Sequence, residues 1–169
     1  MWRGTTWLKR FWGDEAGAAL VEMTLITPLM VVLSAGVFEF SSIIHSKLLV
    51  EAGVRDGARY FARCDKGSNF AACETVGKNI AVTGQAASGG TARVIGWAVG
   101  DVTIAYSKQI DVTVIDVDTG EENYRSSSGV VNVVRVSTDY AYSGTGLWSF
   151  LGFGDLTLSA SHDERVLGN

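Results

Sequence analysis

The chain has 169 residues, twenty glycines, a single proline and a formal net charge of −4. With a membrane-type segment set aside, what remains is one domain of ordinary size, not two. A net-negative chain lacks the basic surface that neutralises phosphates, so nucleic acid is excluded as an expected partner.

The chain opens with Arg3, Lys9 and Arg10 among Trp2, Trp7, Phe11 and Trp12. Basic residues beside a membrane span stay in the cytoplasm, and amphipathic rings settle at the interface. From Ala16 to Phe38 the sequence is apolar except for Glu22. At about 1.5 Å per residue this run covers a bilayer core of about 30 Å, and it has no polar face of the kind a soluble core helix shows. The expectation is a single-pass membrane helix with the following domain outside the cytoplasm. A cleaved secretory signal is the rival reading. Its apolar region would run about 7–15 residues, and the one small-residue site here, Ser34-Ala35-Gly36, comes late.

Two residues in the run are foreign to an inert anchor. A charge such as Glu22 costs about 2.5–3.5 kcal/mol at a helix centre and less near the interface. Pro28 removes a backbone donor and crowds the carbonyl of Thr24, so it is expected to kink or loosen the helix. The bland alternatives are a snorkelling glutamate and a tolerated membrane proline.

Helix is predicted to continue to about Arg63, with Glu51 and Arg55 as an i,i+4 pair and Val50, Val54, Ala58 and Phe61 as one apolar stripe. Gly53-x-x-x-Gly57 allows close packing, either between subunits or against the domain's own sheet. Cys64 and Cys73 form a C-x8-C pair. A metal site or redox pair would want other partners, and the chain has only His45 and His162. In an oxidising compartment the two cysteines are expected to form a disulfide.

A second helix is predicted over Phe70–Val82, with Ala72, Val76 and Ile80 on one side, followed by a loop at Ala86–Gly90. Strand-like runs come next: Val102–Tyr106, Ile110–Val117, Val130–Tyr142 and Leu156–Ser161. Val134, Val136, Tyr140 and Tyr142 alternate onto one face. Helices followed by a meander predict an α+β domain with an antiparallel sheet packed on the helices.

Three stretches carry weak chemical signals. Asp116–Glu122 lacks the ligand spacing of a Ca²⁺ loop and reads as a polar turn. His162-Asp163-Glu164 has no third ligand in view and reads as an exposed strand end. The Gly144–Gly154 loop, with Leu147, Trp148, Phe150, Leu151 and Phe153, either caps the core or marks a partner surface. No catalytic, cofactor or metal site is identified, and no enzyme activity is expected.

Gly17-Ala18-Ala19-Leu20-Val21-Glu22, followed by Met23-Thr24-Leu25-Ile26-Thr27-Pro28, resembles the N-terminus of TadE-like proteins, minor pilin-like components of the Tad (Flp) pilus system. Met23 stands where most members carry an aromatic. Glu39-Phe40 and Val54-Arg55-Asp56-Gly57-Ala58-Arg59-Tyr60 look like the family's second conserved block, and Leu156–Ser161 followed by Arg165 fits its C-terminal pattern. The resemblance implies a pilin-like fold in three parts: a cleaved cytoplasmic leader over 1–17, a membrane and extended helix over 18–63, and a periplasmic or extracellular domain over 64–169. It implies cleavage between Gly17 and Ala18, with Glu22 as the fifth mature residue, read by the peptidase and registering subunits. It also implies a minor structural role in pilus assembly and adherence. The implied partners are a prepilin peptidase, the major Flp pilin, other TadE-like minor pilins, the inner-membrane platform with its ATPase, and the lipid bilayer. The alternative is a permanently anchored periplasmic binding module or adhesin that never enters a fibre.

Overall fold

The computed structural model describes residues 15–64, 70–111, 118–120, 130–144, 146, 152 and 156–167. The elements in chain order are helix α1 (Glu15–Ala62), helix α2 (Phe70–Thr83), a single 3-10 turn (Val99–Asp101), and strands β1 (Val102–Asp111), β2 (Val130–Tyr142) and β3 (Leu156–Arg165). The class is α+β, with one antiparallel sheet in the order β1-β2-β3. The chain divides into two units, Met1–Ser41 and Ser42–Asn169. The division falls inside α1, because the helix from residue 42 onward buries a stripe in the domain's own core.

In the first unit the helix assignment runs unbroken across Pro28. Leu20, Leu25, Leu29 and Leu33 are all more than half exposed. The two threonines satisfy themselves: the Thr24 hydroxyl donates to the Val21 carbonyl at 2.8 Å, and Thr27 donates to Met23 at 2.6 Å. Such back-bonding hides hydroxyls on an otherwise apolar helix.

In the second unit Val50, Val54, Ala58, Phe61 and Ala62 form the buried stripe of α1, as the apolar spacing requires. They share one core with Ala81 and Val82 of α2, Trp97, Val102 and Ile104 of β1, Val134, Val136 and Tyr140 of β2, and Leu158 and Ala160 of β3. Strand alternation supplies this face, since successive side chains point to opposite sides. Between Val134 and Tyr140 the residues at odd numbers, Arg135, Ser137 and Asp139, lie on the other face and are exposed or half-buried. The register runs Val102↔Thr138 to Asp111↔Val130 with an irregularity between Tyr106 and Lys108, and Val133↔Arg165 to Tyr142↔Leu156. The expected runs Val102–Tyr106 and the start of Ile110–Val117 are therefore one strand, continued through that irregularity. Residues 112–117 lie outside the described residues.

Helices α1 and α2 cross through glycine. A Cβ on Gly57 would stand 2.8 Å from the Gly77 carbonyl oxygen and 3.1 Å from Ala81 Cβ, and one on Gly77 would stand 3.1 Å from Ile104 Cδ1. The Gly53-x-x-x-Gly57 motif thus packs within the chain, against α2, and neither between subunits nor on the sheet. This crossing also corrects the expected face of α2. Gly77, Asn79, Ala81 and Val82 are buried, Val76 and Ile80 are half-buried, and Ala72 is exposed, because the small residues must face α1.

A second correction concerns Glu51. It pairs with Lys47 at 3.3 Å, where Arg55 had been expected. Lys47 is held within reach because its ammonium also donates to the Ser159 carbonyl on β3.

Candidate functional site

The residues singled out in the sequence fall in separate places. Gly17 has open space around it, and Ala18 and Glu22 are exposed on the apolar helix. Helix Gly17–Ala62 is long and apolar enough to cross a membrane, and none of its most apolar window is buried within the protein. A soluble core helix would be covered by its own chain, so this helix is a candidate membrane anchor. Pro28 sits mid-helix and has no N–H to return to the Thr24 carbonyl.

The block Arg55–Tyr60 is amphipathic. Gly57 and Ala58 are buried, while Arg55, Arg59 and Tyr60 are exposed. Asp56 accepts from the Arg93 guanidinium at 2.7 Å, and Arg93 also reaches the Ile80 carbonyl at 3.4 Å. The Arg93 backbone N–H donates to the Val82 carbonyl at 2.8 Å, and Gly84, at φ +75°, donates to Ile80 at 2.9 Å. One arginine therefore closes the C-terminal carbonyls of α2 and ties them to α1, where a cation is favoured. Nothing in the local sequence around Arg93 marks it for this role.

Cys64 and Cys73 are bonded, with Cα atoms 6.3 Å apart. The bridge joins the end of α1 to the first turns of α2, beside the edge-to-face pair of Phe61 and Phe70 at 5.2 Å. For so short a loop the chain-entropy model gives about 2–3 kcal/mol of stabilisation.

On β3 the side chains of the His162-Asp163-Glu164 triplet split between the faces. His162 Nε2 lies 3.1 Å from Glu164, while Asp163 takes a two-pronged hydrogen bond from Arg135 of β2, both at 2.7 Å. Among the described residues no group of three or more His, Cys, Asp or Glu is placed to hold a metal ion. The Arg135 guanidinium holds the Asp163 carboxyl below the ordinary carboxylate range, and Asp163 in turn raises Arg135. A depressed carboxylate adds stability above its unfolded value and loses it as pH falls through the folded one. The pair is exposed, so the contribution is small. In a carboxyl-carbon NMR titration Asp163 should therefore titrate below ordinary aspartates, and Arg135→Gln should return it to their range; an unshifted Asp163 in the wild type would contradict the ion pair.

The polar turn Asp116–Glu122 is described only at 118–120, where Gly120 has φ +69°. Leu147, Trp148, Phe150, Leu151 and Phe153 lie outside the described residues.

The sequence reading missed a groove of about 390 Å³ in the second unit. Ser42, His45, Ser46 and Leu49 of α1 form one wall, and Val94, Ile95, Tyr140 and Tyr142 line the other. Tyr140 donates to the Ile95 carbonyl at 2.6 Å. The Tyr142 hydroxyl is shielded from solvent and has no hydrogen-bond partner among the described residues. The legible signal was the stripe of α1 itself: its core-facing positions are apolar from Val50 onward but serine at 42 and 46.

No curated protein and no solved structure was found to match the chain. A family model described as TadE-like protein matches residues 17–59, which run from Gly17 through the apolar helix to Arg59 of the amphipathic block. Over that segment the chain is similar to the TadE-like family, a likeness consistent with a minor pilin of Tad pilus systems.

Proposed function

We propose that this protein is a minor pilin-like structural subunit of a Tad/Flp-type pilus, acting in pilus assembly and adherence, and not an enzyme. The observation that carries the reading is the uncovered apolar run of the helix from Gly17 to Phe38, whose one carboxylate is Glu22, within the segment that matches the TadE-like family. On this reading a prepilin peptidase cuts after Gly17 on the cytoplasmic side and frees the α-amine of Ala18. That cation and the Glu22 carboxylate are both poorly solvated among apolar helices. Each gains by pairing with the other on a neighbouring subunit, because a buried charge without its partner is costly. Pro28 lets the helix bend as it leaves the lipid. The second unit then stands on the periplasmic side, where the Cys64–Cys73 bridge is stable. The partners are the major Flp pilin, sister TadE-like subunits, and the inner-membrane platform with its ATPase.

Glu22→Leu separates this role from a permanent anchor. An anchor gains from losing a charge in its span, whereas a pilin loses a subunit contact. Wild type and Glu22→Leu are recovered from the same native membranes, the N-terminus of each is sequenced, and pilins co-purifying with each are compared. The expected result is a wild-type chain starting at Ala18 and a marked loss of pilin partners in the processed variant. A wild-type N-terminus at Met1 would leave the permanent anchor, and equal recovery of pilins by both processed forms would remove the Glu22 contact.

A further inference from the structure

Helix α1 carries a row of guanidiniums that the pilin role leaves unused. Arg55 and Arg59 stand one turn apart, about 6 Å along the axis and on the same face. Arg63 follows in the turn that leaves the helix. All three are exposed, and among the described residues none of them has an ion-pair partner. The neighbouring carboxylates of α1 are engaged elsewhere, Glu51 by Lys47 at 3.3 Å and Asp56 by Arg93 at 2.7 Å. A helix C-terminus favours cations only over its last turn, and Arg55 lies seven residues before Ala62, where α1 ends. The helix dipole therefore does not account for the row. The row is also held still, since Gly57 packs closely on α2 and the Cys64–Cys73 bridge ties down the end of the helix.

Opposite charge is concentrated in one stretch of the sequence. From 111 to 125, Asp111, Asp116, Asp118, Glu121 and Glu122 stand against Arg125 alone, a net charge of −4 that equals that of the entire chain. Of the chain's 14 basic and 18 acidic residues, the remainder holds thirteen of each and is balanced. This stretch leaves β1 and leads towards β2, and the pair Asp111↔Val130 fixes where it departs from the sheet. Each chain thus carries a basic row on a fixed helix and one acidic connection. Complementary charge of this kind selects partners and sets their register.

We propose that the Arg55–Arg59–Arg63 row of one copy docks the acidic β1–β2 connection of a second copy. The two surfaces differ, so the contact is head-to-tail. Each copy offers its row to one neighbour and its connection to another, the kind of contact that extends into rings or open filaments. Exposed ion pairs are individually weak, so the row decides which neighbour sits where and does not act as a strong bond. The inference goes beyond the pilin reading. It concerns the second unit alone and needs neither cleavage after Gly17 nor the Glu22 contact, so the two readings fail separately.

Arginine does not react with carbodiimide, so the test uses the full chain with Arg59→Lys, which keeps the charge and supplies an amine. Light and heavy-nitrogen forms are mixed in detergent, and a carbodiimide couples carboxylates to amines without a spacer. Linked peptides are read by mass spectrometry. Links from position 59 to residues 116–122 are expected, with hybrid light–heavy pairs as frequent as like-isotope pairs. Arg55→Glu with Arg63→Glu, added to Arg59→Lys, leaves both reacting groups in place. It should lower the hybrid links by about 5–10-fold, the effect of turning two exposed ion pairs into repulsions. Both arginines are exposed and unpaired among the described residues, so the unfolding midpoint should stay unchanged and lost links do not mean lost fold. Links between like isotopes alone would assign the acidic connection to the row of its own chain and overturn the proposal. An equal hybrid yield after the charge reversal, or no link from position 59 to that stretch, overturns it as well.

Discussion

Trp97→Ala is expected to cost the domain about 3–5 kcal/mol, the range for removing a fully buried large aromatic. The ring is 2% exposed and lies in the shared core of helices and sheet. Its indole N–H donates to the Thr138 hydroxyl at 3.0 Å, a bond closed off from water because Thr138 is itself 3% exposed. Alanine therefore leaves both a cavity and a buried hydroxyl without its donor, and the two penalties add. Trp97→Phe keeps most of the volume and should lose clearly less. Urea unfolding of the full chain in detergent, followed by circular dichroism, reads the difference. A Trp97→Ala protein with the wild-type midpoint would mean that this residue does not join the helices to the sheet.

Gly53→Ala should be the most damaging of the small substitutions, at about 3 kcal/mol, the upper end for overpacking. A Cβ there would fall well inside the envelope of the Ala81 carbonyl oxygen and would stand 2.8 Å from the Trp97 ring. The carbonyl belongs to the backbone of α2 and cannot rotate aside, so the helix itself must move. The gain of about 1 kcal/mol that alanine normally brings to a helix interior offsets only part of this. Gly57→Ala meets the Gly77 carbonyl oxygen at 2.8 Å and Ala81 Cβ at 3.1 Å, and should cost less. The same unfolding assay gives the ranking, and a Gly53→Ala midpoint at or above that of Gly57→Ala would refute the close crossing.

Elements with strong periodicity were legible from sequence alone. The apolar run, the stripe Val50-Val54-Ala58-Phe61 and the alternation along β2 each repeat one physical demand over many residues, and each was read correctly. Single residues whose partners lie far along the chain were not. Arg93 and Asp56 are 37 positions apart, and Trp97 and Thr138 are 41 apart; no local pattern joins them. Glycine spacing announced that Gly53 and Gly57 would be approached closely, but not by which element, since a sheet, a helix or another subunit would all demand the same missing side chain. The groove was not read: serines at positions 42 and 46 interrupt the apolar stripe of α1 without naming what lies over them, and Tyr142 looked like any alternating strand residue.

The Lys47 ammonium finds the Ser159 carbonyl across 112 positions of sequence, and the Leu167 N–H closes the Ala62 carbonyl at the end of α1. Helix α1 is made early in synthesis, and the strand and tail that complete its surroundings are made much later. The second unit is thus dominated by late, long-range closures, a topology that folds slowly. While β3 is still to come, Val50, Val54 and Phe61 have only part of their final cover. Until then this domain depends on whatever shields nascent apolar surface from aggregation, and shortening the chain before Leu158 would leave the helix made and the sheet unable to finish.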